Sequence, residues 1–163
     1  MMIRDAMAND AAAIARIYNQ GIEDRVATLE TETRTAEERA SWLGARERRH
    51  PVLVATDGDG VVLGWGSLNA FNPRPAYDHV ADFSVYVARE QRGRGIGDAL
   101  LGALKERARM VGYHKLVLAA IPTNAAGMRL YERHGFTTVG IYREQGQLDG
   151  GWVDVIVMEK ILG

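Results

Sequence analysis

The chain has 163 residues, and at roughly 150 residues per domain this length predicts a single domain covering residues 1–163. Apolar residues make up 47% of the chain, which favours a globular protein with a packed core over a disordered one. The 20 basic and 21 acidic residues leave a net charge of −1, which offers no general attraction for nucleic acid or anionic membranes. Cysteine is absent, which excludes disulfides, thiolate-bound metals and a cysteine nucleophile.

The chain contains no sign of a membrane span, a leader peptide or a metal site. No apolar run approaches the ~18 residues that a spanning helix needs. Residues 1–5, MMIRD, include an acid, and no apolar segment follows them. The four histidines, at positions 50, 79, 114 and 134, lack the spacing of metal ligands. We therefore expect a cytoplasmic protein without a bound metal and without a membrane or nucleic-acid partner.

Helix and strand patterns alternate along the chain. Strands are predicted at 3–6, 52–56, 61–68, 80–87, 115–121, 136–143 and 152–160. Helices are predicted to begin at Asn9 or Asp10, at Thr35, near Ile96 and at Asn124. This order predicts an α/β protein in which helices cover a mixed sheet.

Local signals mark several of the boundaries. Thr35 followed by Glu38 is a capping box that begins the second helix, and the basic residues 46–50 with Pro51 end it. Residues 57–60, DGDG, are typical of a hairpin turn. Gly135 stands where a left-handed helix stop is expected. Residues 19–34 show no clear period and receive no assignment.

A glycine-rich loop lies between the strand at 80–87 and the next helix. Residues 91–97 are QRGRGIG. Glycines let the backbone approach a ligand closely, and the N–H groups at a helix N-terminus favour an anion. Arg92 and Arg94 add positive charge. The unit therefore predicts a pyrophosphate-binding loop, although a plain strand-to-helix turn is the alternative.

The glycine spacing selects among the known phosphate loops. A P-loop needs a Gly-Lys pair, which the chain lacks, and G-x-G-x-x-G fails because Gly93, Gly95 and Gly97 alternate. The pattern Arg-x-x-Gly-x-Gly, formed by Arg92, Gly95 and Gly97, resembles the coenzyme A loop of the GNAT family of N-acetyltransferases. Asn124 followed seven residues later by Tyr131, within residues 124–136, is also similar to that family. Seven residues is about two helical turns, so Asn124 and Tyr131 share a helix face.

The resemblance extends over nearly the whole chain. Residues 17–23, 27–31, 81–87 and 151–155 are similar to the phosphinothricin, methionine sulfoximine and arsinothricin acetyltransferases. The resemblance implies a central mixed, mostly antiparallel sheet with helices on both faces and a splayed strand pair that holds acetyl-CoA. It also implies a homodimer, and an acetyl-CoA-dependent enzyme that acetylates the α-amine of a small glutamate-like amino acid by direct attack on the thioester. A role in herbicide or antibiotic resistance goes with that activity.

The same resemblance assigns roles to individual residues. Asp82, where the family has Glu, is the expected base, acting directly or through water, and Tyr131 is the expected proton donor to the departing thiolate. The backbone at Val85 and Val87 is expected to bind the thioester carbonyl and the pantetheine amides. The expected cofactor-binding residues are Val85, Tyr86, Val87, Arg92, Gly93, Arg94, Gly95, Ile96, Gly97, Asn124, Gly127 and Tyr131. Structural alternatives are a surface carboxylate for Asp82 and a core aromatic for Tyr131.

The small-molecule amine substrate carries two acidic groups, which need cations and hydrogen-bond donors around them. Arg74, on the loop before the strand of Asp82, is the first candidate, with a solvated loop arginine as its alternative. The other candidates are Thr28, Glu30, Tyr77 and Trp152. Two further functions stay open: acetylation of peptide N-termini or other amines, and a non-catalytic acyl-CoA sensor that would keep the loop without needing Asp82 or Tyr131.

Overall fold

A seven-stranded sheet forms the centre of the computed structural model, which describes residues 1–163. Its strands are β1 (Met2–Asp5), β2 (Val52–Thr56), β3 (Val62–Ala70), β4 (Val80–Val87), β5 (Lys115–Ala120), β6 (Thr137–Leu148) and β7 (Gly151–Ile161). They lie in the order β1-β2-β3-β4-β5-β7-β6, and every neighbouring pair is antiparallel except β4 and β5. The helices are α1 (Ala11–Asp24), α2 (Ala36–Gly44), α3 (Ile96–Met110) and α4 (Ala125–Arg133). No helix is long and apolar enough to cross a membrane.

Helices cover both faces of the sheet, which confirms the predicted fold class. On one face α3 places Leu100, Leu101 and Leu104 against Phe83 and other buried sheet residues. On the other face α1 packs against β2 and β3, where Trp65 is the largest buried side chain. Burial of the periodic apolar positions of α1 and α3 on opposite sides makes the sheet the middle layer of the fold.

The boundaries follow local chemistry in some places and tertiary packing in others. Thr35 caps α2 as predicted, because its Oγ accepts a hydrogen bond of 3.1 Å from the Glu38 N–H. Asp10 precedes α1 but does not cap it with its side chain. Its carboxylate instead accepts from the Met7 N–H and pairs with Arg4 at 2.7 Å. Helix α1 continues to Asp24, into the segment without a clear period, and α2 ends before the basic run.

The parallel neighbours β4 and β5 are paired only at their first three residues. Val80, Ala81 and Asp82 lie opposite residues 115–117, and the remaining residues of β4 have no partner on that side. The strands therefore splay apart after Asp82. The predicted splayed strand pair is present, and it opens a cleft in the middle of the sheet.

Two glycines of β3 let α3 pack closely against the sheet. A Cβ atom at Gly66 would lie 2.8 Å from Leu104 Cδ1 and 3.0 Å from the Ser84 carbonyl oxygen. At Gly64 it would lie 2.9 Å from the Tyr86 carbonyl oxygen. Side chains at these positions would push α3 and β4 away from β3, so glycine here is a packing requirement.

We expect Gly66→Ala to lower the free energy of unfolding by about 1–3 kcal/mol, because the added methyl group overpacks the β3–α3 contact. Gly102→Ala is the matched control, since nothing lies within 4 Å of a Cβ at that position in α3. The control should gain about 0.5–1 kcal/mol from improved helix propensity. Urea denaturation of both variants provides the measurement, and equal effects of the two substitutions would contradict the packing argument.

Candidate functional site

The cleft between β4 and β5 opens into a cavity of about 290 Å³. The end of β4, the glycine-rich loop, the start of α3, α4 and one face of α1 form its walls. Of the predicted cofactor-binding residues, those that line it are Val85, Tyr86, Val87, Arg92, Gly93, Gly95, Ile96, Gly97, Asn124, Gly127 and Tyr131. Arg94 is exposed and does not line the cavity, but its guanidinium lies 3.4 Å from Oε1 of Gln91, which does.

The backbone of β4 presents free hydrogen-bonding groups to the cleft. The Ala88 N–H bonds to Leu63 on β3, and the carbonyls of Ser84 and Tyr86 lie against the β3 glycines. Successive residues of a strand direct their N–H and C=O groups to opposite sides. Val85 and Val87 therefore direct theirs toward β5, which no longer pairs with β4 there. These groups can bind amides or a carbonyl oxygen of a ligand.

The glycine-rich loop has the conformation that an anion-binding turn needs. Gly93 and Gly95 have φ values of 79° and 82°, in the left-handed region that glycine adopts without strain. Gly95 immediately precedes α3, so the loop ends at the positive end of the helix dipole. The N–H groups of the first α3 turn have no partner within the helix and can donate hydrogen bonds to a phosphate.

An acidic residue from α1 lies at the mouth of this loop. Arg92 Nη1 is 2.7 Å from Asp24 Oδ2, and Arg89 Nη2 is 2.9 Å from Asp24 Oδ1. Hydrogen bonds from Arg89, and then from Arg92, lower the pKa of Asp24. The sequence reasoning missed Asp24, because the segment after residue 19 gave no sign of where α1 ends.

Helix α4 positions a tyrosine against the cleft. Asn124 Oδ1 accepts a hydrogen bond of 3.1 Å from the Gly127 N–H and fixes the start of the helix. Two turns later, the Tyr131 ring packs edge-on against Phe83, with centroids 6.0 Å apart. Burial, and next the charge of Asp82, raise the pKa of Tyr131. Its hydroxyl therefore keeps its proton at neutral pH and can donate it.

Asp82 lies where β4 and β5 separate, and its side chain is half-buried. Asp82 is paired with Asn69 on β3 and with Val117 on β5. Burial raises the pKa of Asp82 from 3.8 to about 6, and a hydrogen bond from Asn69 offsets only part of that shift. The charge of Asp82 also raises the pKa of Tyr131, so the two groups interact electrostatically. A carboxylate with a pKa near 6 can accept a proton at neutral pH.

Side chains alternate between the two faces of the sheet along β4. Phe83 belongs to the core on the α3 side, whereas Tyr86 packs on the α1 side, with its ring centroid 5.0 Å from that of Trp65. Burial is the main cause that raises the pKa of Tyr86, and the nearby side chains of Thr28 and Ser84 lower it. Thr28 thus lies beside the cavity, on the loop that follows α1.

The other predicted substrate-binding residues do not line the cavity. Arg74, Tyr77 and Trp152 are exposed, and Tyr77 packs against Phe71 on the β3–β4 loop. Glu30 is half-buried and pairs with Arg34 at 3.1 Å. The structure therefore brings together the expected cofactor-binding residues and keeps Arg74, the first substrate candidate, outside the cavity.

The sequence and the fold have well-characterised relatives. Residues 13–136 match the model of the Acetyltransferase (GNAT) family. The chain is 39% identical over 158 residues to the L-methionine sulfoximine/L-methionine sulfone acetyltransferase of Pseudomonas paraeruginosa, an alignment covering 96% of this chain and 92% of that protein.

Two solved structures superimpose over nearly the whole chain. A GNAT superfamily phosphinothricin acetyltransferase from Sinorhizobium meliloti, in complex with acetyl-CoA, has a TM-score of 0.93 at 31% identity and covers 99% of this chain and 88% of that one. A ribosomal-protein-alanine N-acetyltransferase from Brucella melitensis has a TM-score of 0.94 at 38% identity and covers 99% of both chains.

We expect Asp82→Asn to stabilise the protein at pH 7. The pKa of Asp82 is about 6 in the folded chain against a usual 3.8. The folded state therefore binds more protons between these pH values, and the wild type loses stability as the pH rises through them. The variant avoids this loss, so its free energy of unfolding should be about 2 kcal/mol higher at pH 7.

The gain from Asp82→Asn should shrink toward pH 4, which urea denaturation at both pH values can measure. Asp59→Asn, in the exposed turn before β3, is the control for the amide substitution itself. A gain of the same size at pH 7 and pH 4 would show that the buried charge is not its cause.

Proposed function

Since the chain belongs to the acetyltransferase (GNAT) family, we propose that it is an acetyl-CoA-dependent N-acetyltransferase for the α-amine of a small amino acid of the methionine sulfoximine or phosphinothricin type. The observation that carries the proposal is the cleft between β4 and β5, which brings the glycine-rich loop, free strand backbone and Tyr131 around one cavity. Asp82 lies at the point where the two strands separate. A sensor that only bound acyl-CoA would have no use for a base and an acid at the same place.

The cavity walls suit the parts of acetyl-CoA. The loop N–H groups and Arg92 are suited to the pyrophosphate, for which Arg92 has to exchange its contact with Asp24. The free groups of Val85 and Val87 are suited to the pantetheine amides and the thioester carbonyl. The bound cofactor supplies an activated acetyl group, and the protein aligns it with the amine.

Asp82 and Tyr131 divide the proton transfers between them. Asp82, ionised above its pKa of about 6, takes a proton from the substrate amine directly or through a water molecule. The amine nitrogen forms a bond to the acetyl carbon, and the carbon–sulfur bond breaks. Tyr131, whose pKa is raised by burial, donates its proton to the departing thiolate. No covalent acetyl-enzyme is needed, and the chain has no cysteine to form one.

The substrate class is inferred from the substrates that the descriptions of the relatives name. The Pseudomonas protein is described by its action on methionine sulfoximine and methionine sulfone, and the Sinorhizobium protein by phosphinothricin. The Brucella protein, described as acting on a ribosomal-protein alanine, favours a peptide N-terminus as the second candidate. We propose Arg74, Tyr77, Thr28, Glu30 and Trp152 as further residues that contact the amine substrate.

The proposed reaction can be measured as thiol release from acetyl-CoA with a thiol-reactive dye, to which the chain contributes no background because it has no cysteine. We expect saturable turnover with methionine sulfone or phosphinothricin and little with a short alanyl peptide or an aminoglycoside. Turnover with the peptide alone would overturn the amino-acid substrate and favour a peptide N-terminus. The absence of turnover with every amine, despite tight coenzyme A binding, would favour the sensor.

Asp82→Ala should lower kcat about a hundredfold or more while leaving the affinity for coenzyme A unchanged, because a general base contributes on that order. The wild-type rate should fall as the pH drops below about 6, where Asp82 becomes protonated. A variant that retained wild-type kcat would remove Asp82 from the proposed mechanism.

We also propose that the enzyme is a homodimer, with β6 and β7 at the interface. β6 is the edge strand of the sheet, and apolar side chains on this hairpin are exposed, among them Val139 and Ile141 at 58% and 54%. An exposed apolar edge strand in a stable protein is generally covered by a partner.

Ile141→Asp should shift the dimer toward monomer, since it places a charge in the interface, and sedimentation equilibrium measures this. Val61→Asp is the control, because Val61 is equally exposed, at 52%, next to β3. A wild type that sediments as a monomer at high concentration would overturn the proposal.

A further inference from the structure

A buried arginine without an anionic partner lies on the inner face of α2. Arg39 is 8% exposed, and its Nε has no hydrogen-bond partner. The guanidinium carbon is 4.3 Å from the Tyr18 ring centroid, 4.6 Å from that of Trp42 and 5.4 Å from that of Trp65. The three rings form an aromatic cage around the cation. Cation–π contacts stabilise the cation, but the Nε–H of Arg39 still has no acceptor.

The neighbouring arginines, by contrast, have acceptors for their N–H groups. Arg34 pairs with Glu30 at 3.1 Å, and Arg46 donates to the His50 carbonyl and to Asn69 Oδ1. Arg39 takes part in none of the ion pairs of the structure. Burial lowers the pKa of Arg39, and the ionisable groups near it are the phenols of Tyr18 and Tyr86 and the cation of Arg34, none of them a carboxylate. A buried charge left in this condition is costly unless an anion joins it.

A second donor in the same cage also lacks an acceptor. The indole Nε1 of Trp65 is buried and has no hydrogen-bond partner. Buried polar groups without partners are rare in folded proteins. Two of them in one cage, one carried by a cation, indicate a place where an oxyanion binds.

The aromatic cage adjoins the proposed reaction site. Trp65 lies opposite Tyr86 in the β3–β4 register, and their ring centroids are 5.0 Å apart. Tyr86 lines the cavity and shares its face of β4 with Asp82. The Tyr86 ring therefore connects the cage to the wall of the cavity.

We propose that Arg39 binds an oxyanion of the amine substrate, either the α-carboxylate or a distal acidic group, and thereby sets the preference for amino acids. The inference rests on the proposed function. It adds a cation from α2 to the proposed substrate contacts, of which Arg74 lies on the β3–β4 loop. The planar guanidinium can bind a carboxylate through two parallel hydrogen bonds, which an ammonium cannot reproduce.

Steady-state kinetics test the assignment with three amines. Methionine sulfone carries only the α-carboxylate, phosphinothricin carries that group and a phosphinate, and 3-(methylsulfonyl)propylamine carries neither. We expect Arg39→Met to raise KM about tenfold or more for the amines whose oxyanion Arg39 binds, with kcat and the KM for acetyl-CoA unchanged. The neutral amine should show little change. Arg39→Lys should recover only part of the affinity.

The pattern of KM values identifies the bound group. A rise for both acids assigns Arg39 to the α-carboxylate, and a rise for phosphinothricin alone assigns it to the distal acid. Equal KM changes for all three amines, or none, would overturn the proposal and leave Arg39 as a packing residue. Arg48→Met, at an exposed arginine that follows α2, is the matched control and should behave as wild type.

A binding measurement separates this inference from the proposed function. Two of the three tryptophans, Trp42 and Trp65, form part of the cage, so fluorescence reports on its occupancy. 4-(Methylsulfonyl)butanoate has the carboxylate but no amine to acetylate. We expect it to change the fluorescence of wild type and not that of Arg39→Met. Such a response without turnover of any amine would refute the proposed function alone, whereas turnover of amino acids with unaltered KM in Arg39→Met would refute this inference alone.

Discussion

The site depends on one interruption of backbone pairing, the separation of β4 from β5 after Asp82. If the parallel pairing had continued, the backbone N–H and C=O groups of Val85 and Val87 would form hydrogen bonds within the sheet. No cavity would then exist between the strands. Unpaired backbone groups inside a protein are costly, and the cleft compensates by opening to ligand and solvent. The same divergence lets α4 bring Tyr131 toward the strand that carries Asp82.

The second feature of the site is that some of its buried charges have too few polar partners. Asp82 is desolvated, with a hydrogen bond from Asn69 as its partial compensation, and Arg39 is buried among rings without a carboxylate. Asp24, by contrast, forms an ion pair with Arg92, and the proposed cofactor site needs the guanidinium of Arg92. Desolvation of Asp82 and of Arg39 costs folding free energy, and each of these charged groups suits an oppositely charged group on a ligand. Charged groups in such unfavourable surroundings are common at the binding and catalytic sites of proteins.

Much of the fold could be predicted because its signals are local. β4 has the predicted bounds, Thr35 and Asn124 cap their helices through bonds spanning three residues, and Gly135 takes the left-handed conformation. The loop residues of the cavity could be predicted for the same reason, since a strand, alternating glycines and a helix follow one another directly. The end of α1 at Asp24 received no prediction, because its left-handed C-cap residue is Arg25 and not a glycine.

The order of the elements and the glycine-rich loop could be predicted from the sequence, because hydrophobic periodicity and short-range hydrogen bonds are properties of neighbouring residues. The base and the acid were expected from the family resemblance. Which side chains lie together depends on the tertiary fold. It joined Asp24 of α1 to Arg92, enclosed Arg39 of α2 among rings from three elements, and left Arg74 outside the cavity. Burial and long-range electrostatics set these relations, and both depend on atoms that the chain places far apart in sequence.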